Sequence, residues 1–427
     1  MAGASRTVVQ SLLSVLYLAA AAWVGLSGHG IAGRPALLIA LAVMFGAMVA
    51  LWLLRPAPRA VYRLLALGVL ARAAFLNYPG TDDVCRYLWE GRIQLAGHNP
   101  FSTSPDAPEL ADHRDANWQG ITHRLTPTIY WPASQMLFAL AAAIAPVALT
   151  CKVLFLLFDL GTLLLLAMLG RRLDAAPRHL LFYGLNPLVI MYVAGEGHVE
   201  PVMVFFCVLA LHFHVAQRHR LSFASLGMAI MAKTVPVILV PFLITRRSAR
   251  HAWALLPPLA LFLPYVTGSR AFLGIPAFFA TQYHYNGLVQ TLLEQVMPSR
   301  TATYVAAGLA LAALVVIRVR MQSPLQACRA AVAVYLLCAP TMHPWYLLLM
   351  TPFLALEPSW PWLILHLICL PLVNMWDSRA VGWLWHDRTL LMWAEYAPFV
   401  LAAVWLWLRA RRRRADTILA GRTGRME

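Results

Sequence analysis

Residues 152–170 read KVLFLLFDLGTLLLLAMLG, and Arg171 and Arg172 follow them directly. About 20 apolar residues are enough for an α-helix to cross the hydrocarbon core of a bilayer. A basic pair at the end of such a run is typical of the cytoplasmic boundary of a transmembrane helix. The stretch therefore predicts a membrane-spanning helix whose carboxyl end faces the cytoplasm.

The composition extends this interpretation to the rest of the chain. Of the 427 residues, 60% are hydrophobic and only 12% are charged, whereas a soluble domain carries roughly 25% charged residues. These values argue against a soluble enzyme and exclude a disordered or collagen-like chain. The six Cys residues are too few and too scattered for a disulfide framework in a chain of this length.

The basic residues are distributed as in a membrane protein. The net charge is +16, but only Lys152 and Lys233 are Lys, and the Arg residues cluster at the ends of apolar runs. The basic tail of residues 409–427 is interpreted as a cytoplasmic anchor beside anionic lipid. This placement argues against nucleic acid as a partner and predicts the lipid bilayer as one.

The alternation of apolar runs and basic ends predicts one integral-membrane domain over residues 1–427. We expect an all-α polytopic membrane protein with about 13–14 transmembrane helices and both termini in the cytoplasm. The run 221–245 is interpreted as two short helices because Lys233 and Pro236 interrupt it. The expected spans are residues 8–27, 35–54, 60–76, 152–170, 179–195, 199–216, 221–245, 252–267, 301–317, 327–341, 344–356, 360–375 and 389–408.

Two long segments, residues 77–128 and 268–300, are predicted on the external side. The first holds seven of the 18 acidic residues, and a loop longer than about 15 residues is usually functional or disordered. The apolar run 129–149 contains Pro132 and Pro146. If it crossed the membrane, the basic pair after residue 170 would lie outside, so we expect a re-entrant or surface helix there.

In this topology, polar residues from five parts of the chain converge on the external face. They are Asp82, Asp83, Glu196, His198, Glu200, Lys233, Tyr283, His284, Tyr285, Asn286, His343, Trp345 and Tyr346. Ionisable residues at membrane depth are costly and usually functional. Ordinary explanations stay open, namely solvated acids, a hairpin, a snorkelling Lys233 and an interfacial aromatic belt. The convergence favours a site.

Sugar transfer from a lipid-linked donor requires a set of this kind. A general base must deprotonate the acceptor, and positive charge or hydrogen-bond donors must stabilise the leaving phosphate. Asp82 or Asp83 suits the first role. The candidates for binding the donor phosphate and sugar are Arg86, Arg92, His198, Glu200, Lys233, His343, Trp345 and Tyr346.

Residues 81–92, TDDVCRYLWEGR, followed by GHNPF at 97–101, resemble the first-loop signature of membrane glycosyltransferases of the GT-C class. The likeness is to bacterial polyprenyl-phosphate-mannose-dependent mannosyltransferases and their GT87-like relatives. GEGHVE at 195–200 and MHPWY at 342–346 are similar to further recurring patterns of these enzymes. Together the likeness extends over about residues 65–375.

The resemblance implies a GT-C-like bundle in the bacterial inner membrane, with short helices in the external first loop and the active site on the periplasmic or external face. It implies an Asp of that loop as catalytic base and a polyprenyl-phosphate donor of mannose or another hexose. It also implies a glycan or glycolipid acceptor and inversion at the sugar carbon. Cys85 and Glu200 depart from the usual pattern, which leaves the donor and acceptor open.

Two alternatives and one cofactor question stay open at this point. A transporter or flippase of lipid-linked sugars would place ionisable residues near mid-membrane in broken helices, and a scaffold would not need acids and His at matched places. Some GT-C enzymes hold a divalent metal at a pair of acids. Adjacent side chains such as Asp82 and Asp83 diverge on a helix or strand, so no metal is assigned.

Overall fold

A computed structural model describes residues 3–31, 33–266, 284–370 and 388–423. Within these ranges the chain is helical, and its β-structure is limited to isolated bridges between residues 285–286 and Thr341. The predicted all-α polytopic fold is confirmed. Part of the expected second loop (268–283, with Tyr283), the end of the expected span 360–375 and the last four tail residues lie outside the described residues.

The helices vary widely in length. The α-helices of the described chain are α1 (Gly3–Ile31), α2 (Gly33–Leu53), α3 (Pro58–Phe75), α4 (Asp82–Leu95), α5 (Ala116–Gly120), α6 (Pro132–Ile144), α7 (Ala148–Arg172), α8 (Leu181–Gly184), α9 (Pro187–Ile190), α10 (Glu200–Val215), α11 (His219–Ala232), α12 (Val240–Leu243), α13 (Leu288–Glu294), α14 (Ser299–Arg320), α15 (Pro324–Cys338), α16 (Thr351–Leu356), α17 (Trp360–Ile368) and α18 (Arg388–Thr423). A π-turn covers Met191–Gly195, and 3-10 turns cover Pro108–His113, Pro177–Leu180, Val235–Leu239, Ala249–Leu255, Pro257–Tyr265 and Pro344–Leu349.

Four helices of the described residues are long and apolar enough to cross a membrane. They are Ser5–Leu26, Ala36–Leu53, Ala148–Arg172 and Ser299–Arg320, and they coincide with four of the expected spans. Shorter helices and 3-10 turns occupy other expected spans, such as 344–356 and residues 252–266 of the run 252–267. Pro residues within these two runs remove backbone N–H donors, so a continuous α-helix is not sustained there.

Helix α6 occupies the run that was expected to be re-entrant or to lie on the surface. Its 13 residues extend about 20 Å at 1.5 Å per residue, less than the roughly 30 Å of a hydrocarbon core. It packs closely along α4, because a Cβ added to Gly91 would lie 2.1 Å from the carbonyl oxygen of Phe138. The Tyr87 and Phe138 rings stack with centroids 4.3 Å apart. The position of α6 relative to the bilayer stays a prediction.

The run 221–245 breaks where Lys233 and Pro236 were expected to interrupt it. Helix α11 ends at Ala232, and Lys233 is extended, with φ −157° and ψ 141°. A 3-10 turn then begins at Val235. The Ser134 hydroxyl of α6 donates a hydrogen bond of 2.8 Å to the Ala232 carbonyl. The last turn of α11 is therefore held beside α6, and the Lys233 side chain leaves the helix axis.

A buried ion pair joins α3 and α7. Arg72 of α3 pairs with Asp159 of α7, and it also donates a hydrogen bond of 2.7 Å to the carbonyl oxygen of Gly184. Both charged side chains are fully enclosed. This contact explains a carboxylate within an otherwise apolar span, because a buried charge must be paired.

Candidate functional site

The site begins at the first turn of α4, which carries Asp82 and Asp83. The backbone N–H of Thr81 donates to the carbonyl oxygen of Glu196 at 3.3 Å. Lys152, at the start of α7, donates to the carbonyl oxygen of Tyr78 just upstream. These contacts hold the beginning of α4 against the loop that follows the π-turn and the segment before it against α7.

Asp83 is held through both carboxylate oxygens. The Tyr130 hydroxyl donates to Oδ1 at 2.7 Å, and Nδ1 of His198 lies 3.2 Å from Oδ2. The other ring nitrogen of His198 lies 2.9 Å from Glu196 Oε2. Gly197 has φ +80°, a backbone conformation that glycine adopts without strain. This turn lets Glu196 and His198 face each other and lets His198 reach Asp83.

Asp83, Glu196 and His198 shift one another's pKa values. Burial alone would lower the pKa of His198, but its contacts with Asp83 and Glu196 raise it to about 10. Burial would raise the pKa of Asp83, yet its contacts with His198 and Tyr130 lower it to about 2. His198 and Asp83 therefore form a charged pair over the whole physiological pH range.

Asp82 has a different environment from its neighbour. The Thr122 hydroxyl donates a hydrogen bond of 2.6 Å to its Oδ2. Burial, followed by the negative charge of Asp83, raises the pKa of Asp82 above its ordinary value. Asp82 is consequently the more basic of the two carboxylates, whereas Asp83 is a fixed anion.

A buried network around Glu90 clamps the first loop onto α4. The Glu90 carboxylate accepts hydrogen bonds from Arg86 at 2.7 Å, from Thr128 at 2.8 Å and from Gln135 at 2.6 Å. Arg86 also donates to two backbone carbonyls of the segment 121–130. That segment carries Thr122 and Tyr130, the hydrogen-bond partners of Asp82 and Asp83. The network therefore holds these two partners at a fixed distance from α4.

A second ion pair, between Lys233 and Glu200, lies near Asp82 and Asp83. Lys233 pairs with Glu200, the first residue of α10, and the exposed fractions of their side chains are 25% and 2%. The Lys233 ammonium also lies 4.6 Å from the centroid of the Tyr346 ring. The second carboxylate oxygen of Glu200 is buried and accepts no hydrogen bond from any described residue. A phosphate group bound here would share Lys233 with Glu200.

Four rings form a continuous stack beside these ions. The centroid of the Trp345 ring lies 4.0 Å from that of His198 and 4.3 Å from that of His343, and Tyr285 stacks on His343 at 4.9 Å. Burial lowers the pKa of His343 to about 3, although the charge of Asp83 opposes this shift, so this ring is neutral. Trp345 is therefore stacked with two imidazole rings, which restrains its orientation.

A cavity of about 500 Å³ opens between the His198–Asp83 pair and the Lys233–Glu200 pair. This volume is within the size range of small-molecule sites. It is lined by Asp82, Asp83, Arg86, Thr122, His123, Ile129, Tyr130, Glu200, Lys233, Thr234, Val235, Tyr335, Ala339, Pro340, Thr341, His343, Trp345 and Tyr346. Carboxylates, one ammonium group and apolar side chains therefore share one space, which can hold a ligand with polar and apolar parts.

The structure brings most of the sequence candidates together. Asp82, Asp83, Arg86, Glu200, Lys233, His343, Trp345 and Tyr346 line the cavity, and His198 borders it through Asp83 and Trp345.

Arg92 does not reach the cavity and pairs with Asp115 of the first loop. Six helical positions separate it from Arg86, which turns its side chain to another face of α4. Thr122 and Tyr130, which also line the cavity, were not among the residues predicted from the sequence. Their one signal was their position near the end of the long polar loop.

Residues 20–249 match the family model described as alpha-(1->6)-mannopyranosyltransferase, N-terminal domain. This is more than half of the chain, and it includes both Asp residues, Glu200 and Lys233, whereas the ring stack around Trp345 comes mainly from beyond the match. No curated protein and no solved structure matches the chain.

Proposed function

The chain belongs to the alpha-(1->6)-mannopyranosyltransferase family, and we propose that it transfers mannose from a polyprenyl phosphate to a glycan or glycolipid acceptor. Membership makes it a mannosyltransferase, and its long apolar helices make it a membrane protein. The observation that carries the proposal is the cavity in which a basic carboxylate and Lys233 face the same space. The family description supports an α-1,6 linkage in the product.

Asp82 is the proposed general base. As the acceptor oxygen forms its bond to the anomeric carbon of mannose, its proton passes to Asp82, and the bond from that carbon to the phosphate oxygen breaks. The bonding electron pair leaves with the polyprenyl phosphate. A single displacement inverts the anomeric carbon, so an α-linked product requires a β-linked donor. The raised pKa of Asp82 suits a base.

Asp83 and His198 are the proposed support of this base. Asp83 accepts from Tyr130, and its second oxygen faces the protonated His198, so its charge and position are fixed. Burial and, after it, that fixed negative charge keep the pKa of Asp82 above its ordinary value. In this proposal Asp83 positions and tunes Asp82 and takes no proton from the acceptor.

Lys233 is the proposed partner of the leaving phosphate. It is the cation at the break between α11 and the following 3-10 turn, and it lines the cavity. Charge developing on a leaving phosphate is stabilised strongly by a preorganised cation in a site that excludes water. The Tyr346 ring beneath the ammonium restrains its position.

The proposed setting is the bacterial inner membrane, with the cavity on the external face and both termini in the cytoplasm. Basic residues support this orientation, because α7 ends at Arg171 and Arg172 and α14 ends at Arg318 and Arg320. Single Cys residues in a Cys-free background, labelled with an impermeant maleimide, test it. Labelling at position 415 in intact cells would contradict this orientation and indicate the reverse one.

The function is tested with the purified full chain in liposomes. Polyprenyl phosphate carrying radiolabelled mannose is offered with a membrane extract as acceptor, and nucleotide-linked mannose is offered in parallel. We expect a labelled glycan or glycolipid from the lipid-linked donor alone. Product from the nucleotide donor alone overturns the proposed donor, and movement of the labelled lipid across the bilayer without any product indicates a flippase.

A further inference from the structure

A second cluster of titratable side chains lies at the opposite end of α10 from the cavity. Glu200 begins this helix, and His214 lies 14 positions later, about 21 Å away along the axis. Val215–His219 connects α10 to α11, with Gln217 in the left-handed region at φ +60°. The cluster is thus separate from the residues proposed for mannosyl transfer.

The floor of this cluster is made of imidazole rings. His214 and His219 are 7% and 8% exposed, and their ring centroids lie 5.1 Å apart. The His251 ring stacks on His219 at 6.0 Å. Nδ1 of His214 and Nδ1 of His219 are buried and have no hydrogen-bond partner among the described residues. Buried polar atoms are normally paired, so these nitrogens indicate a ligand.

The rim of the cluster is positive. Arg220, Arg247 and Arg250 are exposed and lie near the rings of His219 or His251, and none of them forms an ion pair with a carboxylate of the described residues. His219 also begins α11, so the N–H groups of that helix's first turn lie at the same place. Positive side chains and helix amides together favour an anion.

The metal alternative does not fit this geometry. Within the residues that the structure describes, no group of three His, Cys, Asp or Glu is arranged to hold a metal ion. An anion needs hydrogen-bond donors and positive charge, which the His nitrogens and Arg side chains supply.

The surroundings indicate that the anion is attached to an apolar group. Trp253 and Leu256, which follow His251 along the chain, and Leu221, which follows Arg220, are 55%, 61% and 45% exposed, and the Arg220 guanidinium lies 5.9 Å from the centroid of the Trp253 ring. A Trp next to Arg at the end of apolar helices is typical of the membrane interface. Acyl chains could cover these side chains while a headgroup occupies the basic cluster.

We propose that the His214–His219–His251 floor and its Arg rim bind the phosphate of an anionic phospholipid headgroup. The exposed Trp253 and Leu256 then contact the acyl chains of the same lipid. This site would anchor the α10–α11 turn at the membrane surface, away from the cavity where the proposed donor binds.

The proposal is tested by ligand-induced thermal stabilisation of the full chain in a neutral detergent. The probes are dioctanoyl phosphatidylglycerol, dioctanoyl phosphatidylcholine and inorganic phosphate. The test variant is Arg220→Gln with Arg250→Gln, and the matched control is Arg59→Gln with Arg63→Gln, which removes two exposed Arg residues of α3. All four positions are exposed, so both variants should fold.

We expect phosphatidylglycerol to raise the melting temperature of the wild type more than phosphatidylcholine or inorganic phosphate does. In the test variant, the dissociation constant for phosphatidylglycerol should rise at least about tenfold, because each Arg near an anionic lipid contributes substantially to binding. The control variant should keep the wild-type constant. An equal loss in both variants overturns the proposal in favour of diffuse attraction, and equal stabilisation by inorganic phosphate overturns the assignment to a lipid.

Discussion

The ion pair between Lys233 and Glu200 allows the proposed phosphate role to be separated from a structural one. Lys233→Gln alone leaves a carboxylate that is 2% exposed without its cation. Breaking a buried pair in this way costs about 3–5 kcal/mol, and the lower end applies because the Lys233 side chain is 25% exposed. The single variant should therefore lose both stability and activity. Its activity loss cannot be assigned to catalysis.

The double variant, Lys233→Gln with Glu200→Gln, removes both charges. Its melting temperature should return close to that of the wild type, because no uncompensated carboxylate is left. Its rate of mannosyl transfer should stay about 10²–10³ below the wild type, the usual cost of losing one preorganised group that stabilises developing charge. Glu200→Gln alone keeps the ammonium and serves as the matched control.

The assay measures melting temperature and initial transfer rate for all four proteins in the same detergent, with saturating lipid-linked mannose. A double variant that regains both stability and the wild-type rate would show that Lys233 only neutralises Glu200. A variant that is stable but slow supports the phosphate role.

Three further outcomes follow from the other ion pairs. The wild type should lose thermal stability at alkaline pH, and His198→Gln should abolish this loss. The pKa of His198 is about 10 in the folded protein against about 6.5 when unfolded. The stability that protonated His198 contributes is therefore complete below about pH 6.5 and is lost as the pH rises through 10. Melting temperatures at pH 6.5 and 9.5 check this, and an unchanged difference in the variant contradicts it. Asp159→Ala should lower the free energy of unfolding by about 3–5 kcal/mol because Arg72 is left buried and charged; in denaturant titrations, Arg72→Met with Asp159→Leu should recover most of this, and no recovery refutes the explanation. Asp83→Asn should move the acid limb of the pH–rate profile to lower pH, because the charge of Asp83 raises the pKa of Asp82; a limb that stays in place or moves upward counts against the coupling.

The sequence was sufficient to predict the fold class and to predict that distant polar residues meet at one candidate site. Apolar runs with basic ends are a one-dimensional signal, since a bilayer crossing requires about 20 consecutive apolar residues. Polar residues within such a chain are costly enough to mark function. Asp82, Glu200 and Lys233 could therefore be placed at one site before their distances were known, and they line one cavity.

The sequence did not reveal which partners each side chain has. Lys233 stands alone among apolar residues along the chain, yet it pairs with Glu200, 33 positions earlier. Trp345 was a candidate for binding the donor sugar from its place in the chain, and the sequence did not indicate that its ring stacks with those of His198 and His343. Contacts of this kind depend on how distant helices pack, which local periodicity does not encode.

Arg92 shows that the sequence did not reveal the direction in which each side chain points. It lies in the same external loop segment as Arg86, and both were candidates for the donor phosphate because of their positive charge. On α4 the two side chains point in different directions, and Arg92 pairs with Asp115. A helical projection of the segment would have separated them, but only after the segment itself had been identified as a helix.

The transfer rate of Asp82→Asn tests the central claim most directly. This substitution keeps the size of the side chain and leaves an oxygen for the Thr122 hydroxyl, which donates to Asp82 in the wild type. It removes the base. With lipid-linked mannose and acceptor at saturation, the account predicts a rate about 10²–10⁴ lower than the wild type, the usual contribution of a general base, with unchanged melting temperature and donor affinity. A folded Asp82→Asn protein that transfers mannose at the wild-type rate would contradict it.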